Sequence, residues 1–238
     1  MDRHLGFSLV ELALVLVIVT LALGGVLVPL NAQIEHKQWR DTEQSLQLVQ
    51  DALLGFAVRN GRLPCPASST SSGMESPASG GVCTNPYDGY VPAVSLGLSQ
   101  LDAQGYVLDA WGNRLRYAVA KSSGFAFTTS DGIKNAGLST LQSELQICAS
   151  IAGTTSSSCG SATALSSSGI NAPPVVIYSI GQFATARSAD ESANQDSNAI
   201  FVNHPLTTSV ASTGAYDDVM TWLSPNVLYG QMVNAGVF

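Results

Sequence analysis

Between Phe7 and Leu30 the chain runs FSLVELALVLVIVTLALGGVLVPL, 24 residues with a single charge, Glu11. About 20 apolar residues suffice to cross a bilayer as a helix, so this stretch constrains the chain before anything else does. A secretory signal fits it poorly, because such apolar cores run about 7–15 residues and close on a small-residue cleavage site. Here the run is longer, ends on no such site and carries an acid near its start. A plain membrane anchor accounts for the length but leaves Glu11 unexplained. A carboxylate inside an apolar span is costly and is usually retained for a partner. Gly24, Gly25 and Pro29 lie in the same run. The glycines lower helix propensity and the proline removes a backbone hydrogen bond, which predicts a kink or a locally weak turn. A membrane helix tolerates either.

The remainder is polar without being charged. Of the residues 45% are hydrophobic and only 11% charged, against about 25% charged in an average soluble domain. Ser, Thr, Asn and Gln cover the difference. The apolar content excludes an obligately disordered chain. Lys and Arg number 10 against 17 Asp and Glu, a net charge of −7, which disfavours a general binder of nucleic-acid phosphates. The second half is the more acidic, with two basic and seven acidic residues over 122–238. Three histidines leave little material for imidazole catalysis, and no P-loop, G-x-S-x-G or H-E-x-x-H pattern occurs. No catalytic constellation is present, and an enzyme is not expected.

After Pro29 the pattern becomes amphipathic. Trp39, Thr42, Leu46, Val49, Leu53 and Phe56 recur at steps of three and four or their sum, one face of a helix. Glu35, Lys37, Arg40, Asp41, Glu43 and Asp51 occupy the other faces. Asn60-Gly61, followed by Pro64, is a C-terminal stop. The spacing predicts one helix from about Phe7 to about Asn60.

Beyond it, residues 67–80 (ASSTSSGMESPASG) and 149–171 are Ser-, Thr-, Ala- and Gly-rich and read as loops, the first a mobile surface loop. Strands are predicted after Trp111-Gly112-Asn113 through Val119, at Pro174–Ile180, Ala199–Val202 and Val219–Leu223, with a short one at Phe125–Thr128. Ser224-Pro225 opens a closing helix, with Val227, Leu228 and Met232 turned inward. Short strands after one long helix indicate an α+β fold, an antiparallel sheet packed on that helix.

Gly6-Phe7-Ser8-Leu9-Val10-Glu11-Leu12, at the head of an apolar helix, resembles the class III signal of type IV pilins and type II secretion pseudopilins. Two further segments are similar to pseudopilin patterns: Asp109-Ala110-Trp111-Gly112-Asn113, and the acidic-then-Trp stretch Tyr216-Asp217-Asp218-Val219-Met220-Thr221-Trp222. The resemblance implies a leader over 1–6, cut between Gly6 and Phe7 by a prepilin peptidase, and N-methylation of the new Phe7 amine. It implies a transmembrane and filament-core helix over 7–30, its amphipathic continuation over 31–60 and a globular head over 61–238, the pilin fold. Leu5 is a departure, since a basic residue commonly precedes the glycine. Glu11 becomes the fifth residue of the mature chain and pairs with the Phe7 amine of a neighbouring subunit, setting register in a dry helical bundle. In filaments of the family it resembles, a stretch just before a proline placed like Pro29 can melt during assembly.

The partners implied are further copies and other pilin-like subunits, the prepilin peptidase, an inner-membrane assembly platform and membrane lipid. The resemblance also implies a single pass through the inner membrane with the N-terminus in the cytoplasm and the head in the periplasm, followed by an assembled filament that extends toward the cell surface. The function expected is that of a structural subunit of a pilus or pseudopilus. The alternative is a minor tip pilin whose head binds a surface, DNA or a secreted protein, and the length of the mature chain leans toward a minor or specialised subunit.

Four cysteines, Cys65, Cys83, Cys148 and Cys159, form no C-x-x-C pair. A head outside the cytoplasm permits disulfides. Of three possible connectivities, Cys65–Cys83 with Cys148–Cys159 is favoured, because each closes a local loop without a core; free buried thiols are the alternative. Asp190, Ser192, Asn194 and Asp196 place oxygens at alternate positions, but Gln195 and Phe201 stand where an EF-hand requires Gly and Glu. Major pseudopilins bind calcium near the C-terminal acidic segment, which implies a structural ion held by Asp217 and Asp218 with Asp196. The plain reading of these residues is a solvated acidic turn. Arg114 and Arg116 share one face of a strand with Lys121 nearby, too little for a nucleic-acid patch. His36 and His204 read as surface residues.

Overall fold

The computed structural model describes residues 8–207 and 214–237, and the side chains of 22–32 fall outside that description. The chain divides into two compact units, one up to Arg40 and one from Asp41 onward. Helix α1, Leu9–Asn60, contributes 52 residues to the two together.

In the first unit α1 opens with a reciprocal cap: Ser8 Oγ accepts the Glu11 N–H and a Glu11 carboxylate oxygen accepts the Ser8 N–H, both at 3.2 Å. Every described side chain from Ser8 to Leu21 is exposed, with Leu9 87% accessible. Among the described residues no helix is long and apolar enough to cross a membrane. The helix continues through Gly24, Gly25 and Pro29.

From Asp41 the amphipathic stripe takes over. Thr42, Leu46, Val49, Leu53, Phe56 and Ala57 are buried while Asp41, Glu43 and Asp51 stay in water, as the three-and-four spacing predicts. Gly61 follows the last turn at φ +67°, the left-handed conformation a helix stop requires. Next come β1 (Gly89–Tyr90), α2 (Ala93–Leu96), β2 (Arg116–Val119), α3 (Ser122–Phe125), α4 (Gly132–Ala136), β3 (Gln146–Cys148), β4 (Val175–Ser179), α5 (Ala189–Ala193), β5 (Ile200–Val202), β6 (Val219–Leu223) and α6 (Pro225–Asn234).

The class is α+β, and its main sheet is antiparallel in the order β1-β2-β4-β6. Tyr117 faces Ile177 and Ile177 faces Thr221 across the ladders. All of β4 is buried, which accounts for its unbroken apolar run VVIYS. Thr221 lies 3.4 Å from Gln50 of α1. A second pairing, β3 with β5, is parallel and was not expected, although the β5 residues were read as a strand. In α6, Leu228 and Met232 are buried, but Val227 is 45% exposed, because the inward face follows the four-residue step from Leu228.

Two sequence expectations are corrected. Phe125–Thr128 is not a strand: Ser123, Gly124 and Phe125 have φ of 54°, 69° and 63°, a left-handed run that turns the chain instead of extending it. The stretch 67–80 is a tethered loop, because Glu75 in its middle is buried against Arg62 at 2.7 and 2.8 Å and accepts the Cys65 N–H at 3.0 Å. A buried ion pair with its remaining lone pairs occupied is sustainable where a lone charge is not. The disulfides are Cys65–Cys83 and Cys148–Cys159, the local pairing. The first closes the base of this tethered loop and the second pins the Ser-rich excursion after β3.

A buried carboxylate cluster as candidate metal centre

The corner between β4 and α5 meets the turn before β6. Gly181 makes that approach possible: its φ is +70°, and a Cβ there would lie 2.5 Å from the Asp217 carboxylate, a clash no side chain avoids. Ser188 caps α5 by accepting the Glu191 N–H at 3.1 Å. The Glu191 carboxylate does not complete a capping box. It turns away to accept the Arg187 N–H on one oxygen and the Asp217 N–H, at 3.0 Å, on the other. Asp217 Oδ2 accepts the Gln182 N–H at 3.0 Å and lies 3.5 Å from the Arg187 guanidinium. Asp218 Oδ2 accepts from Asn194 at 2.7 Å. The Asn194 amide also pairs with both backbone groups of Val202, at 3.0 and 2.7 Å, so the cluster is braced against β5.

Three carboxylates, Glu191, Asp217 and Asp218, therefore converge in a site where each residue is at most 3% exposed. One oxygen from each lies within 4.8 Å of the others. Burial in a medium that disfavours charge pushes the Asp218 carboxyl up to about 8, with the charges of Glu191 and Asp217 adding to the effect against the opposing Asn194 hydrogen bond. Burial, then the neighbouring Glu191, pushes Asp217 up to about 6.

Hard oxygen donors suit calcium or magnesium, not zinc or copper. Calcium–oxygen bonds of about 2.3–2.6 Å put opposite ligands about 4.6–5.2 Å apart, so three oxygens at this spacing fit one coordination sphere. The observation that tests the fit is an orphaned pair: Asp217 Oδ1 and Asp218 Oδ1 are buried and have no hydrogen-bond partner. Native interiors rarely leave such atoms alone, and a cation would satisfy both.

Of the residues singled out in the sequence, Asp217 and Asp218 come together and Asp196 does not join them. Asp196 is exposed and accepts from Asn198 at 3.2 and 2.6 Å. Its place is taken by Glu191, which the sequence reading passed over. The alternate-position reading of 190–196 fails because 189–193 is helical, and residues two apart on a helix face different ways. Asp190 instead accepts the Ile151 N–H at 2.7 Å and meets His204 at 3.3 Å, which ties the disulfide-bonded excursion to α5. His204 is accordingly half-buried, its ring centroid 3.9 Å from that of Tyr216, and is not the surface residue expected. The signal that could have placed Glu191 is the Ser188-x-x-Glu191 pattern, which puts a glutamate on the first turn of a helix.

The two head segments singled out in the sequence meet here. Asp109 Oδ1 accepts the N–H groups of Trp111 and Asn113, closing a tight turn at Gly112, and Asn113 Nδ2 donates to the Gly181 carbonyl at 2.7 Å. The Ala110 N–H reaches Thr42 of α1 at 3.2 Å. This turn thus connects α1 to the glycine that admits Asp217.

At the N-terminus, Gly6 and Phe7 lie outside the described residues. Glu11 is exposed and occupied with the Ser8 cap, a role that its Ser-x-x-Glu spacing carries in the sequence. Arg114 and Arg116 offer no free basic patch: they pair with Asp102 at 3.1 Å and Asp88 at 2.6 Å and sit over the rings of Tyr106 and Tyr90. No family model, curated protein or solved structure matches this chain.

Proposed function

We propose that this chain is a structural subunit of a pilus-like or pseudopilus-like filament, built through its N-terminal helix, with a head clasped by a divalent cation at Glu191, Asp217 and Asp218. The observation that carries the reading is the change of character along α1. Over Leu9–Leu21 the helix is apolar on all its faces apart from Glu11 and Thr20, and every side chain is exposed, whereas from Thr42 onward it buries one stripe. A helix that is apolar all round requires cover on all sides. Lipid supplies that cover before assembly, and the same helix of neighbouring copies supplies it afterwards. The segment Gly6-Phe7-Ser8-Leu9-Val10-Glu11 supports the same reading, as a peptidase site that exposes a Phe7 amine able to neutralise Glu11 of a neighbouring copy. In a dry bundle an unpaired Glu11 carboxylate would cost several kcal/mol, so the ion pair selects one axial position.

The cation clasp gives the head resistance to shear and proteolysis outside the cell, where disulfides already constrain its two Ser-rich loops. Intact-mass spectrometry of membrane and sheared-surface fractions tests the subunit reading. A chain that starts at N-methyl-Phe7 and is enriched in the sheared fraction is the expected result. An uncut chain from Met1, confined to membrane, refutes it.

A further inference from the structure

The segment from Gln182 to Arg187 joins β4 to α5 and runs alongside the carboxylates. Its Gln182 and Arg187 N–H groups donate to Asp217 and Glu191. The Arg187 guanidinium stands 3.5 Å from Asp217 Oδ2, stacked 3.4 Å from the centre of the half-exposed Phe183 ring. Only two basic residues occur in 122–238, Lys134 and Arg187, against seven acids, and one of the two is placed at the cluster. Arg116 also acts on Asp218, but it is bound to Asp88 at 2.6 Å.

The Arg187 contact is loose. It is a single long approach and not a bidentate fork, and the side chain is 35% exposed while Asp217 is 5% exposed. A guanidinium so placed is already partly in water and is held by this one contact and by the Phe183 ring. Asp217 Oδ1, meanwhile, remains without a partner even with the arginine present. The cluster thus has a neighbouring cation that leaves the innermost oxygens unsatisfied.

We propose that Arg187 is a tethered counter-cation that competes with a divalent metal for Asp217, so that ion binding drives its guanidinium out into solvent and sets the affinity of the site below what its oxygens alone would give. This rests on the cation reading of the cluster. A positive charge that stays near the site opposes an incoming divalent ion, and expelling it to solvent costs its pairing with Asp217. The result is a site that binds calcium more weakly than three carboxylates without the neighbouring charge would.

Calcium titration of the full-length protein in detergent, after chelator stripping, tests this with the wild type, Arg187→Gln and Arg187→Lys. Removing the charge should tighten calcium binding by about fivefold, an effect sized for a partly exposed ion pair acting on a doubly charged ligand. Arg187→Lys keeps the charge and should stay within about twofold of wild type, which separates charge from shape. Raising the salt should shrink the difference between wild type and Arg187→Gln. Calcium binding by Arg187→Gln alone, with none by the wild type, also supports the competition. Affinity in Arg187→Gln equal to or weaker than wild type overturns it while leaving the calcium site standing, because the arginine would then be a brace for Asp217. No binding by either protein removes the calcium reading and this inference with it. Melting curves of the three proteins without calcium serve as the folding control, with Arg187→Lys, which keeps the charge beside Asp217, expected to stay nearer the wild type than Arg187→Gln.

Discussion

Stripping divalent cations and raising the pH from about 5 to about 8 should progressively destabilise the head, and the loss can be sized from two carboxyl groups. Asp218 is pushed up to about 8 and Asp217 to about 6, from an ordinary value of 3.8. A group whose folded pKa lies above its unfolded one makes the fold hold the proton more tightly than the unfolded chain does. Its stabilisation is therefore present at low pH and is lost as the pH rises through the folded value. Integrating the linkage relation over that interval gives a loss of about 4 kcal/mol from Asp218 and, screened by solvent, about 1 kcal/mol from Asp217. Their sum is a large fraction of the roughly 5–15 kcal/mol that holds a typical domain together. For a chain of this size it corresponds to a fall in Tm of about 10–20 °C. Calcium at about a hundred times its pH 8 Kd should restore about 2.7 kcal/mol at pH 8, and the same concentration should restore less at pH 5, where protons compete for the carboxylates. The assay is thermal unfolding of the full-length protein in detergent, with EDTA or calcium, at both pH values. Asp218→Asn should flatten most of the pH slope and remove the calcium response. A Tm in EDTA that does not fall between the two pH values, or a slope that survives Asp218→Asn, would refute the argument that burial holds a proton on this cluster.

Three further predictions follow from other parts of the molecule. Glu11→Gln keeps an oxygen to accept the Ser8 N–H but removes the charge, so leader cleavage should proceed while incorporation into filaments fails; normal incorporation in a shearing assay would rule out the ion-pair register. Glu75→Ala leaves the Arg62 guanidinium buried without its partner and should cost about 3–5 kcal/mol in urea unfolding, far above the effect of losing an exposed pair. Replacing both Cys148 and Cys159 by serine should cost about 2–3 kcal/mol for a loop of this size, with the loss confined to the second unit.

The sequence by itself carried whatever depends on short-range periodicity. The stripe from Thr42 to Phe56 is legible because a helix repeats its environment every three or four residues, and the tertiary structure only had to supply a sheet for it to meet. Strands β4 and β6 were visible as compact apolar runs, and the local disulfide pairing, one of three that the sequence leaves open, was favoured because each bridge closes a core-poor loop. Other features depend on residues far apart in the chain. The parallel β3–β5 pairing joins Gln146 to Ile200, and no local pattern marks three residues as a parallel partner across such a gap. Glu75 reads as a loop acid until Arg62 is seen beside it. The same holds for the cluster. Asp217 and Asp218 came from the resemblance of their segment to pseudopilins and Asp196 from the alternating oxygens of 190–196, while Glu191 was passed over. A one-turn helix reverses that choice, swinging Glu191 toward Asp217 and leaving Asp196 in water. Gly181 then settles it, since only a residue without a side chain lets the two segments close to the distance at which three carboxylates can share one ion.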